Sequence, residues 1–312
     1  MAIHTSSFCE GFKEQYEIIA KSSDAIYIVI FLVNTVMSVI ASLGNSLILN
    51  ALRRCSCLHA PSKALLFSLA LSDLGVGCIA QPLFVIHRLA ALTRNYRIFC
   101  VSGIGSYFVG STLVSASFVT STAIAIDRYM ALRLRLRYRV VVTTKRVAAV
   151  LFASWLASLI WSALWFWDKE VQNFLRIVLF SFCFVTTTSS YLIIYKQMRC
   201  YHFRVEEHVG STVAHGAAGS HFNMLRFRRS VVSMCKIYCL LLACYLPYNC
   251  LMVLLNRFQL TALTVALNAI FGTLVLSNSA LNPFIFCRYI PEIRVMVKST
   301  LSVLGSTQTN SD

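Results

Sequence analysis

Seven stretches of the chain are apolar and almost free of charged residues, and each is long enough to cross a membrane. About 20 helical residues cross the roughly 30 Å hydrocarbon core of a bilayer. We expect the spans at Ala25–Leu52, Ala64–Ile86, Ile98–Ile126, Val147–Trp167, Ile177–Tyr195, Ile237–Asn256 and Phe258–Cys287. Only 13% of all residues are charged, whereas a soluble domain carries about 25%. The sequence therefore predicts an all-α membrane protein, a seven-transmembrane helix bundle.

The remaining segments are short, so the bundle, residues 25–287, accounts for almost the whole chain. Residues 1–24 form the N-terminal segment, which we expect to be mobile. Residues 288–301 predict an amphipathic eighth helix on the membrane surface, because apolar residues recur there at helical spacing opposite Arg294 and Lys298. Residues 302–312 are expected to be a disordered cytoplasmic tail. The glycine- and serine-containing stretch near 200–229 reads as a flexible loop whose basic ends extend spans five and six.

Positive charge gives the orientation. Twenty of the 28 Lys and Arg residues fall in the three loops and the tail on one side of the predicted bundle. Cytoplasmic loops retain positive charge, so the N-terminus is expected outside the cell, in the plasma membrane. The net charge of +16 suits anionic lipid headgroups and an acidic protein partner. Because this charge lies in juxtamembrane loops, nucleic-acid binding is excluded.

One carboxylate, Asp73, lies inside a predicted span, where it costs at least ~2.5 kcal/mol without a partner or a polar cavity. Polar residues of other spans offer such partners: Asn45, Ser117, Asn278, Ser279 and Asn282. This set of hard oxygens suits a monovalent cation, and we predict Na⁺ at Asp73. The alternative is a hydrogen-bonded polar core without an ion.

Three further motifs lie within the predicted spans. Span three ends in Asp127-Arg128-Tyr129, at the predicted cytoplasmic edge. Pro247 in span six and Pro283 in span seven predict helix kinks, which are natural pivots. Each motif alone is weak, since an interfacial ion pair or a membrane proline is common.

Taken together, residues 25–301 resemble a rhodopsin-like G-protein-coupled receptor. The matching residues occur in family order, one set per span: Asn45, Leu69 to Asp73, Asp127-Arg128-Tyr129, Trp155, Tyr191, Pro247 and Asn282-Pro283. The resemblance implies a receptor that activates a heterotrimeric G protein, with arrestin as a second partner, and membrane lipids around it. It implies no enzymatic activity, and no cofactor apart from an allosteric Na⁺.

The resemblance also assigns roles to particular residues. Coupling to the G protein is assigned to Asp127, Arg128, Tyr129, Leu136 and Tyr191. The switch between inactive and active forms is assigned to Tyr245, Pro247, Pro283 and Phe286, where Tyr245 replaces the family's usual tryptophan and Phe286 its usual tyrosine.

Some departures from the family pattern are informative. The loop Asp168–Arg176 has no cysteine to pair with span three, and Cys183 stands where a proline is usual. These traits resemble the branch of melanocortin, cannabinoid and lysophospholipid receptors. Cys100 can then pair outside only with Cys9 or stay free, and we expect it free because the N-terminal segment is expected to be mobile.

The ligand is less well specified. Gly110 occupies the position of the amine-binding aspartate and Leu276 that of the retinal lysine, which argues against a classical amine or retinal. A small neutral molecule, a lipid or a peptide remains. The predicted pocket comprises Phe84, Tyr107, Ser111, Tyr245, Tyr248, Asn249, Met252 and Asn268. Residues of these types are more often packing residues than ligand contacts, so packing is the alternative at each position. Four basic residues near the outer rim either attract an anionic headgroup or are merely solvated: His87, Arg88, Arg94 and Arg97.

Two rival functions remain at this level. A transporter or channel would use Asp73 as an ion site, but the inverted repeats common in transporters are not evident in the sequence. A receptor-like scaffold that has lost coupling is the other.

Overall fold

The computed structural model describes residues 2–22, 24–55, 58–209, 217–255 and 260–308, and side chains over most of these ranges. All regular structure in the described ranges is helical. The helices are Ala2–Lys21, Asp24–Arg54, Ala60–Leu92, Tyr96–Leu134, Thr144–Leu164, Lys169–Val209, Ala217–Leu255, Ala262–Tyr289 and Pro291–Gln308, and a short helix Tyr138–Val141 follows the fourth. Seven of them are long and apolar enough to cross a membrane. This confirms the seven-transmembrane bundle, and we number these spans one to seven.

Local capping explains where two spans differ from their predicted ends. Span seven begins at Ala262, because the Thr261 and Thr264 side chains form a reciprocal capping box. Its predicted first residues, 258 and 259, lie outside the described ranges. Span four ends at Leu164 rather than Trp167, because the chain turns there. The Asp168 side chain then accepts hydrogen bonds from two backbone N–H groups that begin span five.

The long loop and the tail are more helical than expected. Span five continues to Val209 and span six begins at Ala217, which agrees with the predicted extension of both spans. The helices occupy 200–209 and 217–229 of the predicted loop, so these extensions are longer than a flexible loop over 200–229 implies, and 210–216 lies outside the described residues. The C-terminal helix begins with Pro291, a residue suited to the first turn, and runs to Gln308. The predicted disorder is thus wrong over 302–308, where no proline interrupts the helix.

The spans pack closely around small residues. A Cβ added to Gly44 in span one would lie 2.8 Å from Pro283 Cγ in span seven, so only glycine permits this approach. Large apolar side chains such as Leu43, Val101 and Phe152 are exposed on the outside of the bundle. A continuous apolar surface of this kind suits contact with lipid rather than water.

Span two contains a π-helical segment, Val76–Ala80, just before Pro82. Ser38 of span one donates to the Gly77 carbonyl at 2.7 Å and so satisfies part of this irregular backbone. A π segment turns the following helix relative to a regular one, and such segments are frequent at functional sites. Beyond it, Phe84 and Arg88 face the interior of the bundle.

Candidate functional site

The N-terminal helix covers one end of the bundle, which we call the upper end. Phe12 packs edge-on against His87 and Phe99, with ring centroids 6.1 and 6.3 Å apart. Cys9 forms a disulfide with Cys100 at the start of span three. The predictions of a mobile N-terminal segment and of a free Cys100 are therefore wrong.

The sequence carried a signal for this helix that charge and polarity obscured. Phe12, Tyr16 and Ile19 are spaced by four and three residues, so they share one helix face. In the structure, Ile19 is buried and Tyr16 packs against Tyr96 and Phe99. The Tyr96 hydroxyl also donates to the Cys9 carbonyl at 2.5 Å. Aromatic contact, the hydrogen bond and the disulfide together hold the helix in place.

Below this helix lies a cavity of about 250 Å³ lined by residues of spans two to seven. Its wall includes seven of the eight predicted pocket residues: Phe84, Tyr107, Ser111, Tyr245, Tyr248, Asn249 and Asn268. Met252 of the predicted set does not line it. That these residues contact a ligand stays a prediction.

The cavity wall also contains residues that sequence reasoning did not place there. Phe12 and Gln15 come from the N-terminal helix, and Arg176 from span five. Of the four basic residues predicted at the rim, His87 and Arg88 line the cavity, whereas Arg94 and Arg97 do not. Arg94 instead pairs with Asp24 at 3.7 Å on the surface.

The floor of the cavity is aromatic. Phe118 of span three stacks between Phe180 and Tyr245, with ring centroids 5.4 and 5.2 Å away. The Tyr245 hydroxyl donates to the Val114 carbonyl at 3.4 Å. Tyr245 lies two residues before Pro247, which is inside the helix of span six. Tyr245 therefore joins the cavity to the part of span six where proline removes a backbone hydrogen bond.

The predicted polar core lies next along the bundle axis, around a fully buried Asp73. Its Oδ1 accepts hydrogen bonds from Ser117 Oγ at 3.2 Å and Ser279 Oγ at 2.8 Å. Its Oδ2 accepts one from Asn282 Nδ2 at 2.7 Å. Spans three and seven thus converge on this carboxylate of span two, as the sequence indicated, and Asn45 of span one joins the group by donating to the Ser279 carbonyl at 3.0 Å.

The same core contains oxygens suited to a cation. The side-chain amide oxygens of Asn45 and Asn282 are buried without a hydrogen-bond partner, as is that of Asn278, which lies one helical turn before Asn282. Together with the Asp73 carboxylate and two serine hydroxyls, they form a set of hard oxygen donors with one negative charge. The residues present therefore fit Na⁺, although the carboxylate is already well supplied with hydrogen bonds.

The lower end of the bundle carries the Asp-Arg-Tyr motif. Asp127 accepts from Ser62 Oγ at 2.9 Å and from the Tyr138 hydroxyl at 2.6 Å, and it lies 3.2 Å from Arg128 Nη2. Tyr129 packs at the edge of the lower apolar core. By contrast, Leu136 in the following turn is 95% exposed.

Two other predicted residues lie in this lower core. Tyr191 of span five packs against Tyr238 of span six, with ring centroids 5.6 Å apart. Tyr238 is held in turn by Thr188, whose Oγ1 is 2.7 Å from the tyrosine hydroxyl. Phe286 of span seven is fully buried in the same cluster. The structure thus brings Tyr191 and Phe286 together in the lower core, whereas Tyr245 packs with Phe118 at the floor of the cavity and Leu136 is exposed.

Comparisons with known proteins agree with this geometry. The family described as 7 transmembrane receptor (rhodopsin family) matches residues 44–286, from the Gly44-Asn45 pair of span one to Phe286 of span seven. The chain belongs to the rhodopsin family of seven-transmembrane receptors. Membership makes the transporter and channel alternative unnecessary.

Several curated relatives of this receptor are recognisable. The mouse adenosine receptor A2b is 31% identical over 138 residues, which is 43% of this chain and 38% of the relative. The rat pyroglutamylated RF-amide peptide receptor is 24% identical over 284 residues, 79% of this chain and 64% of the relative. The rat neuromedin-U receptor 1 is 33% identical over 139 residues, 44% and 30% of the two chains.

The receptor thus covers less than two thirds of the length of each of these relatives. Their names refer to different ligands, so they identify the family and leave the ligand of this receptor open. None of the three is a melanocortin, cannabinoid or lysophospholipid receptor. The assignment to that branch therefore stays a prediction.

Proposed function

We propose that the protein is a G-protein-coupled receptor of the plasma membrane, not an enzyme, with its N-terminal helix outside the cell. Ligand binding in the upper cavity would shift an existing equilibrium toward a form whose lower end binds a heterotrimeric G protein. Family membership and the position of cavity, polar core and Asp-Arg-Tyr motif along one bundle support this. The basic residues Arg53, Arg54 and Arg133 at the lower end favour the cytoplasm for that side.

The observation that carries the proposal is the position of Tyr245. It lines the ligand cavity, stacks on Phe118 of span three and sits beside the proline of span six. A ligand that separates Tyr245 from Phe118 would let span six pivot at Pro247. At the lower end of the same span, Tyr238 would then part from Tyr191 and open a cleft between spans five and six.

Opening of the lower end is expected to release Arg128. In the described form, Asp127 holds Arg128, and Ser62 and Tyr138 hold Asp127. Once freed, the guanidinium would face the C-terminal helix of the G protein. Leu136, already exposed, would insert into an apolar pocket on that partner. Arrestin would use the same opened surface.

Na⁺ would act as a ligand of the inactive form. Asp73, Ser117, Ser279 and the amide oxygens of Asn278 and Asn282 would hold it, and the ion would neutralise the buried carboxylate. Inward movement of span seven would compress this set of oxygens and expel the ion. By linkage, an ion that prefers one form disfavours every ligand that prefers the other.

Guanine-nucleotide exchange on purified G protein tests coupling. Arg128→Ala and Leu136→Ala should each lower exchange at least tenfold, which corresponds to about 1.4 kcal/mol of lost interaction. Arg133→Ala and Val140→Ala are matched controls, since both side chains are exposed in the same region, and they should leave exchange nearly unchanged. All variants are compared at equal surface expression.

The result also separates the alternatives. Undiminished exchange by both Arg128→Ala and Leu136→Ala would remove the proposed coupling surface. Absence of exchange with every G-protein class would favour a non-coupling scaffold. Solute flux into proteoliposomes would favour the transporter.

A further inference from the structure

Arg88 of span two is a cation buried inside the bundle. Only 3% of the residue is exposed, and its Nε and Nη1 have no hydrogen-bond partner. In the described ranges, ion pairs are formed by Arg94 with Asp24 and by Arg128 with Asp127, so neither involves Arg88. A buried charge without a partner carries a penalty of several kcal/mol, and chains rarely retain one without a use.

The ring of Phe84 does not remove this penalty. The guanidinium carbon of Arg88 lies 4.7 Å from the ring centroid, which is a cation–π contact. Such a contact contributes about 0.5–2 kcal/mol, less than the penalty of burial. It also leaves the N–H groups at the edge of the guanidinium free. Phe84 therefore orients Arg88, while its hydrogen-bonding groups still need an acceptor.

Arg88 lines the cavity, so an acceptor bound there would reach its unpaired N–H groups. No aspartate or glutamate is found among the cavity-lining residues within the described part of the chain. A second arginine, Arg176 of span five, lines the same cavity, and its Nε and Nη2 are also buried without a partner. The cavity thus has two cations with spare donors and no anion of its own.

The rest of the cavity wall indicates what kind of molecule would carry the acceptor. Most of its remaining surface comes from aromatic and apolar side chains, including Phe118, Phe180 and Leu276. The volume of about 250 Å³ is slightly below the ~300–1,000 Å³ of pockets for drug-sized ligands. A compact molecule with one charged end therefore fits.

We propose that this cavity binds a small organic anion, a carboxylate or phosphate on an apolar body, and that Arg88 is its anchor. The planar fork of arginine matches the oxygens of both groups in a bidentate manner. Arg176 supplies a second contact, and Gln15 of the N-terminal helix closes the site from above. The proposal rests on the receptor function proposed above and specifies the class of its ligand.

Four probes that share one body and differ in charge test the anion site: 4-phenylbutyrate, 4-phenylbutyl phosphate, 4-phenylbutanol and 4-phenylbutylamine. The full chain is placed in nanodiscs of neutral phosphatidylcholine, and the thermal unfolding midpoint is followed against probe concentration. A ligand that binds only the folded form raises this midpoint. We expect the two anions to raise it and the alcohol and the amine to have no effect.

Variants of Arg88 test whether this residue is the anchor of the anion. Arg88→Gln should weaken the apparent affinity for both anions at least roughly tenfold, because hydrogen bonds to a charged group are lost. Arg88→Lys keeps the charge but lacks the planar fork of arginine, so it should bind the anions with intermediate affinity. If Arg88→Gln does not fold, this variant tests the anchor in its place. Arg97→Gln removes the same charge from an exposed position near the upper end and should behave as wild type.

A further experiment distinguishes whether the anion comes from the bilayer or from the aqueous phase. In nanodiscs where phosphatidic acid replaces part of the phosphatidylcholine, an Arg88-dependent rise without added probe would show that the bilayer supplies it. A rise with the soluble probes alone would show that the aqueous phase does. Both results support the anion site.

Two outcomes overturn the proposal: equal stabilisation of wild type and Arg88→Gln by the anions, or no difference among the four probes in wild type. Nucleotide exchange by wild type is measured separately. Exchange without anion preference would leave the receptor function standing and remove the anion site. Arg88-dependent binding without exchange on any G protein would leave the anion site standing and remove the receptor function.

Discussion

Span two buries two opposite charges in opposite ways. Asp73 receives three hydrogen bonds from spans three and seven, whereas Arg88, roughly 22 Å further along the helix, has two N–H positions with none. Asp73 lies where the spans meet closely, and Arg88 lies at the wall of a cavity. The hydrogen-bond donors to Asp73 belong to the chain, so this charge joins the packed spans to one another. A charge whose partners are missing from the chain is available to a ligand.

The largest effect is expected from removing a donor to Asp73. Asn282→Leu leaves Oδ2 of a fully buried carboxylate without its 2.7 Å hydrogen bond, which should cost about 3 kcal/mol of unfolding free energy. Asn50→Leu makes the same change at a half-buried residue with only a 3.5 Å bond, and should cost less than about 1 kcal/mol. Unfolding midpoints in neutral nanodiscs measure both. Similar losses of unfolding free energy in the two variants would mean that the hydrogen bonds to Asp73 stabilise the protein no more than an ordinary hydrogen bond.

The next effect concerns the helix that covers Arg88. Cys9→Ser removes the link between the N-terminal helix and span three, and should cost about 2 kcal/mol. Cys250→Ser, at a free and exposed cysteine, should be neutral. Mass spectrometry of alkylated, unreduced protein should also show a peptide joining Cys9 to Cys100. If this peptide is not detected, or if the two variants are equally stable, the disulfide does not hold the N-terminal helix over the upper end of the bundle.

A smaller effect of opposite sign is expected at Arg88. Without ligand, Arg88→Met should raise the unfolding free energy by about 1–2 kcal/mol, because it removes an unpaired buried charge and keeps the apolar stem. The exposed Arg97→Met should change stability by less than about 0.5 kcal/mol. If Arg88→Met instead destabilised the ligand-free protein, Arg88 would resemble Asp73 and the contrast between the two charges would disappear.

The smallest effect is the response to sodium. Replacing a bulky organic cation by Na⁺ at constant ionic strength should lower basal nucleotide exchange several-fold, a coupling of about 1 kcal/mol. Asp73→Asn keeps the shape and removes the charge, so it should abolish this response. Asp24→Asn, the same change at an exposed ion pair, should retain it. An equal response of wild type and Asp73→Asn would make Asp73 a structural hydrogen-bonding group only.

The polar core was accessible to sequence reasoning because its members are rare residue types for their surroundings. A carboxylate in an apolar span needs a partner, and few polar residues at matching depth are available. This logic found Ser117, Ser279 and Asn282 correctly. It placed Asn278 in the same group, yet its amide oxygen has no partner among the described residues.

The cavity was predictable only in part. Aromatic and polar residues on the inner faces of spans two, three, six and seven were found, because helical periodicity indicates which residues share a face. Arg176 was missed because span five was predicted to begin at Ile177, which placed Arg176 in the outer loop, whereas the helix begins at Lys169. Arg88 was left between two interpretations, since a basic residue near a span end is usually solvated.

The sequence by itself determined the seven spans, because the free energy of placing a helix in a bilayer depends on the roughly 20 residues of that segment alone. It also determined which polar residues needed explanation. The tertiary structure decided what those residues meet. Ser279 reaches Asp73 across 206 residues, and Cys9 reaches Cys100 across 91. Such contacts depend on how separate helices pack against each other, and this packing also left Arg88 without a partner inside the chain.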